Sequence, residues 1–342
     1  MTMGSRAAVI KDVARLAGVS HQTVSRVLNN HGAVSGPTRE RVLSAISALG
    51  YRPNAMARGL ARRGSRVIGV VASDPTLYGP ASTLLGIERA ARAEGYGVSI
   101  VTVARADDVG VLAALETLAS QSVAGAVVAA PHAAAAAAMF DERRGMATVT
   151  VEGDVDGTGP SVGVDHVAGA RLAVEHLLDL GHRSVRHVSG PLGWPESRDR
   201  IAGWRAALES AGIATPRLLT GDWSARSGYA AGLALAERPG VTAVFAGNDQ
   251  MALGVIRALQ ERGLRIPADV SVVGFDDIPE AEYLWPPLTT VRQDLDEVGR
   301  RCIAALLRQV EAVRHGRRAQ ARPEPKVAPT LVVRASAGSV RR

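Results

Sequence analysis

Apolar residues recur at helical spacing through the first fifty positions and then gather into short continuous runs. Ile10, Val13, Ala14 and Ala17 lie three and four apart, which predicts a helix over 10–17. Gly18-Val19-Ser20 interrupts it. Ser20 is a good cap for a second helix over 21–28, with Val24, Val27 and Leu28 inward. Asn29-Asn30-His31-Gly32 reads as a loop. Ser35 or Thr38 opens a third helix that runs to Leu49, with Val42, Leu43, Ala45, Ile46 and Leu49 inward. Pro37 is tolerated there because it falls in the first turn. Gly50 ends that helix, and Asn54 is placed to cap a short one over 55–61.

The pattern then changes. Val67-Ile68-Gly69-Val70-Val71 is apolar without alternation, as in a strand covered on both faces. A helix is predicted around 82–94, a strand over 97–103, a helix over 111–120, a strand over 125–130, an alanine-rich helix over 133–140 and a strand over 148–151. After Asp165 the alternation resumes: a helix to Leu180, a strand over 185–188, helices over 197–211 and 224–237, a strand over 243–246, a helix over 249–262 and a strand over 270–275. Strand and helix in alternation imply an α/β body of parallel sheets with helices on both faces. Its length matches two lobes of ordinary domain size, roughly 100–150 residues each, with a cleft between them.

Charge sharpens the division. Residues 1–65 hold ten Lys or Arg and two acids, so the whole surplus of the net +7 lies in the first fifth of the 342-residue chain. A small basic unit on a near-neutral body is the footprint of a nucleic-acid-binding module joined to something else. Cys302 is the only cysteine, which excludes a disulfide framework and cysteine-rich zinc sites and fits a cytoplasmic setting. Lys11 and Lys326 are the only lysines and neither follows a glycine, so a P-loop is absent. No long apolar run predicts a signal peptide or membrane span.

Two short helices around a glycine-containing turn form a helix-turn-helix, whose second helix enters the major groove N-terminal end first. That puts His21, Gln22 and Arg26 on a base-reading face, since arginine pairs bidentately with guanine and glutamine with adenine. Ser20, Thr23, Ser25 and Asn29 are short polar side chains suited to phosphates. A solvated helix face would carry the same residue types, but the charge distribution favours readout. Ile10-Lys11-Asp12-Val13-Ala14, Ala17-Gly18-Val19-Ser20, Thr23-Val24-Ser25-Arg26-Val27-Leu28-Asn29 and Leu49-Gly50-Tyr51-Arg52-Pro53-Asn54 resemble the LacI/GalR family of bacterial repressors. The likeness continues through Gly247-Asn248-Asp249, Val272-Val273-Gly274-Phe275-Asp276-Asp277 and Pro287-Leu288-Thr289-Thr290, and is greatest to the lactose-repressor subgroup.

The resemblance implies a helix-turn-helix domain over 1–52, a hinge helix and linker over 53–65, and a two-lobed, periplasmic-binding-protein-like effector-binding and dimerisation body over 66–342. It implies a homodimer on palindromic operator DNA, with Leu60 and Ala57 of the hinge at the minor groove. Eight residues with Gly59 among them are too few for a stable free helix, which fits a hinge that orders on DNA. The chain ends in a short polar stretch with no leucine heptads, so dimers rather than tetramers are expected.

Lobes of this kind bind small molecules at the C-terminal ends of their strands. Ser73, Leu77 and Pro80 follow the first strand, and Glu152 follows the strand over 148–151. Asn248 and Asp276 follow strands of the second lobe. Arg200 begins the helix leading to Trp204, Trp223 lies in a loop, and Gln293 is near the crossing back to the first lobe. Carboxylates, amides and arginine suit paired hydroxyls, and an indole covers an apolar sugar face, so a small sugar or glycoside effector is expected. Core packing of Trp223 and helix capping by Asp276 are the competing structural explanations. By resemblance these nine are effector contacts. Glu152 stands where the subgroup has aspartate, Glu196 where it has serine, and Trp194-Pro195 also differs. No cofactor or metal is expected.

Gly159-Pro160-Ser161-Val162-Gly163 matches a nucleophile-elbow spacing but lacks the strand-turn-helix context. Asp154 to Asp165 echoes a calcium loop without its flanking helices. Neither supports an enzyme. A solute-binding transport protein would share the lobes but not the basic helix-turn-helix. His182 and His187 are expected to cap a helix end and border a strand. A ligand-responsive repressor of sugar-utilisation genes, released by its effector, accounts for the whole chain.

Overall fold

Helices α1 (Ile10–Ala17) and α2 (His21–Leu28) have eight residues each, too few to persist alone, and are held by α3 (Gly36–Ala48). Val13, Ala14, Ala17, Val24, Val27, Val42 and Ala45 form their shared core. Gly18 ends α1 at φ 65°, a left-handed conformation that favours glycine, and its N–H donates to the Ala14 and Arg15 carbonyls. The Ser20 hydroxyl caps α2 by accepting from the Thr23 N–H at 3.1 Å. Ser35 precedes α3, with Pro37 in its first turn. Two positions depart from expectation: Leu43 is 50% and Leu49 36% exposed. A three-helix unit covers only a narrow stripe of α3, and Leu43 lies one residue, about 100° of rotation, beyond Val42.

The structure, a computed structural model, describes residues 8–28, 34–51, 65–103, 108–129, 146–152, 159–317 and 324–340. Asn29, the hinge positions Ala57 and Leu60, and the helix expected over 133–140 lie outside the described residues. The chain divides into two units, Met1–Ser65 and Arg66–Arg342.

The second unit holds two sheets. The first has the order β2-β1-β3-β4-β5, built from β1 (Val67–Ala72), β2 (Gly97–Thr102), β3 (Gly125–Ala129), β4 (Ala147–Val151) and β5 (Ser161–Val162), all parallel. Helices α4 (Tyr78–Ala93) and α5 (Asp108–Ser120) connect its strands. Helix α4 starts four residues earlier than the sequence pattern indicates, so Pro80 sits in its first turn, where a proline leaves no hydrogen bond unmade. The second sheet runs β11-β10-β9-β8-β6-β7, from β6 (Arg186–Ser189), β7 (Leu219–Thr220), β8 (Ala243–Ala246), β9 (Ser271–Asp276), β10 (Thr289–Arg292) and β11 (Thr330–Val332). Its strands are parallel except for β11, an antiparallel edge on β10. Helices α6 (His166–Asp179), α7 (Pro195–Ser210), α8 (Ala225–Ala236) and α9 (Asp249–Glu261) cover it.

The chain then crosses back. Helix α10 (Leu295–Arg314) follows β10 of the second sheet yet buries Val298, Cys302, Ile303 and Leu306 against Ile68, Val70 and Val149 of the first. It crosses α4 at backbone contact: a Cβ on Gly299 would lie 2.2 Å from the Gly86 carbonyl carbon. Both lobes are therefore built from discontinuous chain, which makes the strand ends of the two sheets face one another across a cleft.

The rejected motifs have ordinary roles. Ser161 is a residue of β5. Asp165 caps α6 by accepting from the Ala168 N–H at 2.9 Å. His182 is buried and joins Thr242, Ser271 and the Gly338 carbonyl at 3.0–3.1 Å, tying the end of α6 to the second sheet. His187 lies within β6 rather than beside it, stacked on Phe245 with centroids 4.5 Å apart.

Candidate functional site

A cavity opens between the strand ends of the second unit. The structure brings all nine residues selected from the sequence to its wall. Ser73, Leu77 and Pro80 come from the segment after β1, and Glu152 from the end of β4. Arg200, Trp223 and Asn248 come from α7, the loop before α8 and the start of α9. Asp276 ends β9 and Gln293 follows β10. Tyr78, Thr83, His166, Trp194, Glu196 and Leu295 line it as well. Of these, sequence reasoning had noted only Trp194 and Glu196, and only as departures from the resembling subgroup. His166 had one available signal, its place directly after the capping Asp165 at the start of a helix.

Arg200 organises the wall. It lies in the second turn of α7, not at its start, and is 5% exposed. Its guanidinium donates to the Gly247 carbonyl, and its Nε donates to His166 Nδ1 at 3.4 Å. Its Nη2 lies 3.7 Å from Asp276 Oδ1, and its plane rests 3.8 Å from the Phe275 ring centroid. Burial lowers its pKa, opposed by Asp276 and the nearby glutamates. The other ring nitrogen of His166, Nε2, lies 3.1 Å from Glu152 Oε2 without meeting hydrogen-bond geometry. Glu152 Oε1 accepts from the Val164 N–H at 2.9 Å. Asp276 also accepts from Gln293 Nε2 at 2.6 Å. Burial pushes the Asp276 carboxyl up to about 6, against the pull of Arg200 and Gln293. It caps no helix; it is held in an ion pair that faces the cavity.

Besides His166 Nε2, two more polar atoms of the wall stay uncommitted. Glu196 Oε2 and Trp223 Nε1 are buried without a hydrogen-bond partner among the described residues. Burial, and after it the Glu152 carboxylate, pushes the Glu196 carboxyl up to about 8. Trp223 is both core and wall: 7% exposed, packed with Val188 and Met251, and edge-on to Trp194 with centroids 6.0 Å apart. Its indole lies on Gly190, where a Cβ would fall 2.2 Å from Cζ2, so only glycine fits beneath it. Asn248 reaches the wall but spends its amide locally, accepting from the Met251 N–H at 2.9 Å and donating to the Trp223 carbonyl at 3.0 Å. Behind it Asp249 accepts from the Ile278 N–H and the Thr290 hydroxyl, and burial raises its carboxyl to about 8. Glu152, Trp223 and Asp276 hold φ of 57°, 73° and 119°, strained values for non-glycine residues that gather here as they do at functional sites.

In the first unit His21, Gln22 and Arg26 are exposed on the face of α2 opposite Val24 and Val27. Ser20 is also exposed, although its hydroxyl is engaged in capping, and Thr23 and Ser25 are half-buried beside it.

Residues 9–54 match the bacterial regulatory proteins of the lacI family, and residues 174–337 match a periplasmic binding protein-like domain. The chain is 38% identical over 306 residues to the lactose operon repressor of Escherichia coli (strain K12), covering 86% of this chain and 83% of that one. It is 34% identical over 308 residues to the ribose operon repressor of the same strain, covering 89% and 93%. The lac repressor dimer bound to operator and the anti-inducer ONPF superposes with a TM-score of 0.90 at 34% identity, over 98% of this chain and 100% of that one. A basic three-helix unit, a two-sheet body with a polar cleft, and identity across most of the length agree: the chain belongs to the lacI family of bacterial regulatory proteins.

Proposed function

We propose that the chain is a sugar-responsive transcriptional repressor acting in the cytoplasm. As a homodimer it would read palindromic operator DNA through α2, and a small sugar or glycoside would bind the cavity and release the operator. The helix-turn-helix spans 1–52 in this reading, the hinge 53–65 and the effector-binding and dimerisation body 66–342. His21, Gln22 and Arg26 read bases, while Ser20, Thr23, Ser25 and Asn29 meet phosphates. The hinge residues Ala57 and Leu60 enter the minor groove. The site binds and does not catalyse.

The observation that carries this reading is the meeting of nine chosen residues, drawn from separate chain segments, on one cavity wall. Its chemistry suits a carbohydrate: Asp276, Gln293 and Arg200 offer paired acceptors and donors, and Trp223 offers an indole and a free N–H. A ligand spanning both lobes favours one arrangement of the lobes, and DNA another, so each biases the same equilibrium in opposite directions.

Trp223→Ala tests it. The sugar concentration that releases operator should rise at least about tenfold, about 1.4 kcal/mol, while operator affinity without sugar stays near wild type. An unchanged sugar titration would make Trp223 a core residue only and remove the main aromatic support for the cavity.

A further inference from the structure

The cavity wall is more acidic than a neutral sugar requires. Its acids are Glu152, Glu196 and Asp276, set against the Arg200 guanidinium and the His166 imidazole. Arg200 is already committed to Asp276, the Gly247 carbonyl and His166, and Phe275 covers its face. Glu152 has the Val164 N–H and His166. Glu196 has no such help: beyond its own backbone N–H, its Oε2 is buried with no partner. Asp199 on the same helix pairs with Lys326 at 3.1 Å, and Lys326 also acts on the Glu152 charge, so of the two glutamates Glu196 is the one left with the unpaired oxygen. We propose that the effector carries a protonated amine, as an amino sugar does, and that Glu196 is the residue that selects it, with Glu152 as its second acceptor; this rests on the reading of the cavity as a sugar site.

Two physical points favour an amine over one more hydroxyl. A hydroxyl meets the protonated Glu196 with a single bond, whereas an ammonium draws the carboxyl into its charged form, its proton leaving to solvent, and has three N–H donors to bridge both glutamates. Trp194 stands on the same wall, and an indole face attracts cations; the Trp223 ring already carries Arg200, 5.3 Å from its centroid. The elevated pKa of Glu196 fits this, since burial and the Glu152 carboxylate outweigh the pull of its own backbone N–H and of Arg200.

Calorimetric titration of the full-length protein at neutral pH decides the matter, with glucosamine, galactosamine and mannosamine set against glucose, galactose and mannose. At least one amine should bind about tenfold or more tightly than its hydroxyl parent, as a charge-assisted contact to a buried carboxylate warrants. The neutral N-acetyl form of that sugar should lose the advantage on the wild-type protein, a comparison that needs no variant. Glu196→Gln should bring the amine-to-parent ratio close to one, whatever it does to the affinity for the parent. Parents binding as tightly as their amines throughout would overturn the selection by Glu196 and leave the sugar site standing. Binding by none of the six would overturn the sugar reading itself, and this inference with it.

Discussion

Replacing Glu196 by glutamine in the ligand-free protein should raise its stability, by an amount that depends on pH in a calculable way. Burial and the neighbouring Glu152 carboxylate push the Glu196 carboxyl from an ordinary 4.5 up to about 8. Between those two values the unfolded chain ionises this group while the folded protein keeps it protonated. The unfolded state then binds fewer protons, so stability falls as pH rises, by roughly 1.4 kcal/mol per pH step. At pH 7 the deficit amounts to about 3 kcal/mol, reduced to roughly 2 because part of the residue reaches solvent. Glu196→Gln preserves the shape and abolishes the ionisation; the other cavity acids are common to both proteins and cancel in the difference. Urea unfolding at several values from pH 5 to pH 8 should show the variant ahead by under about 1 kcal/mol at pH 5 and by about 2–3 kcal/mol at pH 7, rising to its full value near pH 8. A difference that does not vary with pH, or a wild type more stable at pH 8, would refute the placement of this carboxyl in a buried, acidic wall.

Arg26→Ala should remove preference for operator over scrambled DNA by about 1–3 kcal/mol per half-site, because the residue is exposed on the groove face of α2. Circular dichroism should be unchanged, and an undiminished binding ratio would rule out base readout by this side chain. Gly190→Ala sets a Cβ 2.2 Å from the Trp223 ring where ordinary contacts begin near 3.4 Å, so the indole must shift by about 1 Å or more at a cost of ~1–3 kcal/mol. Sugar affinity should fall with operator affinity intact; an unaltered sugar titration would mean that the indole does not need its seat on Gly190.

The helix-turn-helix was legible because everything that specifies it is local: the spacing of Val13, Ala14, Ala17, Val24 and Val27, a Gly18 that must adopt a left-handed turn, and the Ser20 cap. The cleft residues were legible because strand ends in a parallel α/β body are where ligands bind, and Glu152 and Asp276 directly end such strands. What escaped is what two lobes create together. His166, Tyr78 and Thr83 acquire a role only when the starts of α6 in the second lobe and α4 in the first line one cavity, and no periodicity encodes that. Helix α10 and strands β10 and β11 went unassigned although Val298, Cys302, Ile303, Leu306 and Val310 are helically spaced; their lobe is set by the crossing of Gly299 on Gly86, a contact between residues more than two hundred positions apart. The burial of Leu43 was overestimated for the opposite reason, since an apolar residue at the margin of a stripe needs a neighbour that this small unit lacks.

The central claim is that the cavity and the DNA-reading unit bias one equilibrium. Its most direct test measures both halves of the linkage on the same preparation: operator affinity with and without saturating sugar, and sugar affinity with and without saturating operator. The two ratios must be equal and should be roughly 5–150-fold, with each ligand weakening the other. Ratios of one in both directions would mean that whatever binds the cavity leaves DNA binding untouched, and the account of the chain as a sugar-released repressor would be wrong.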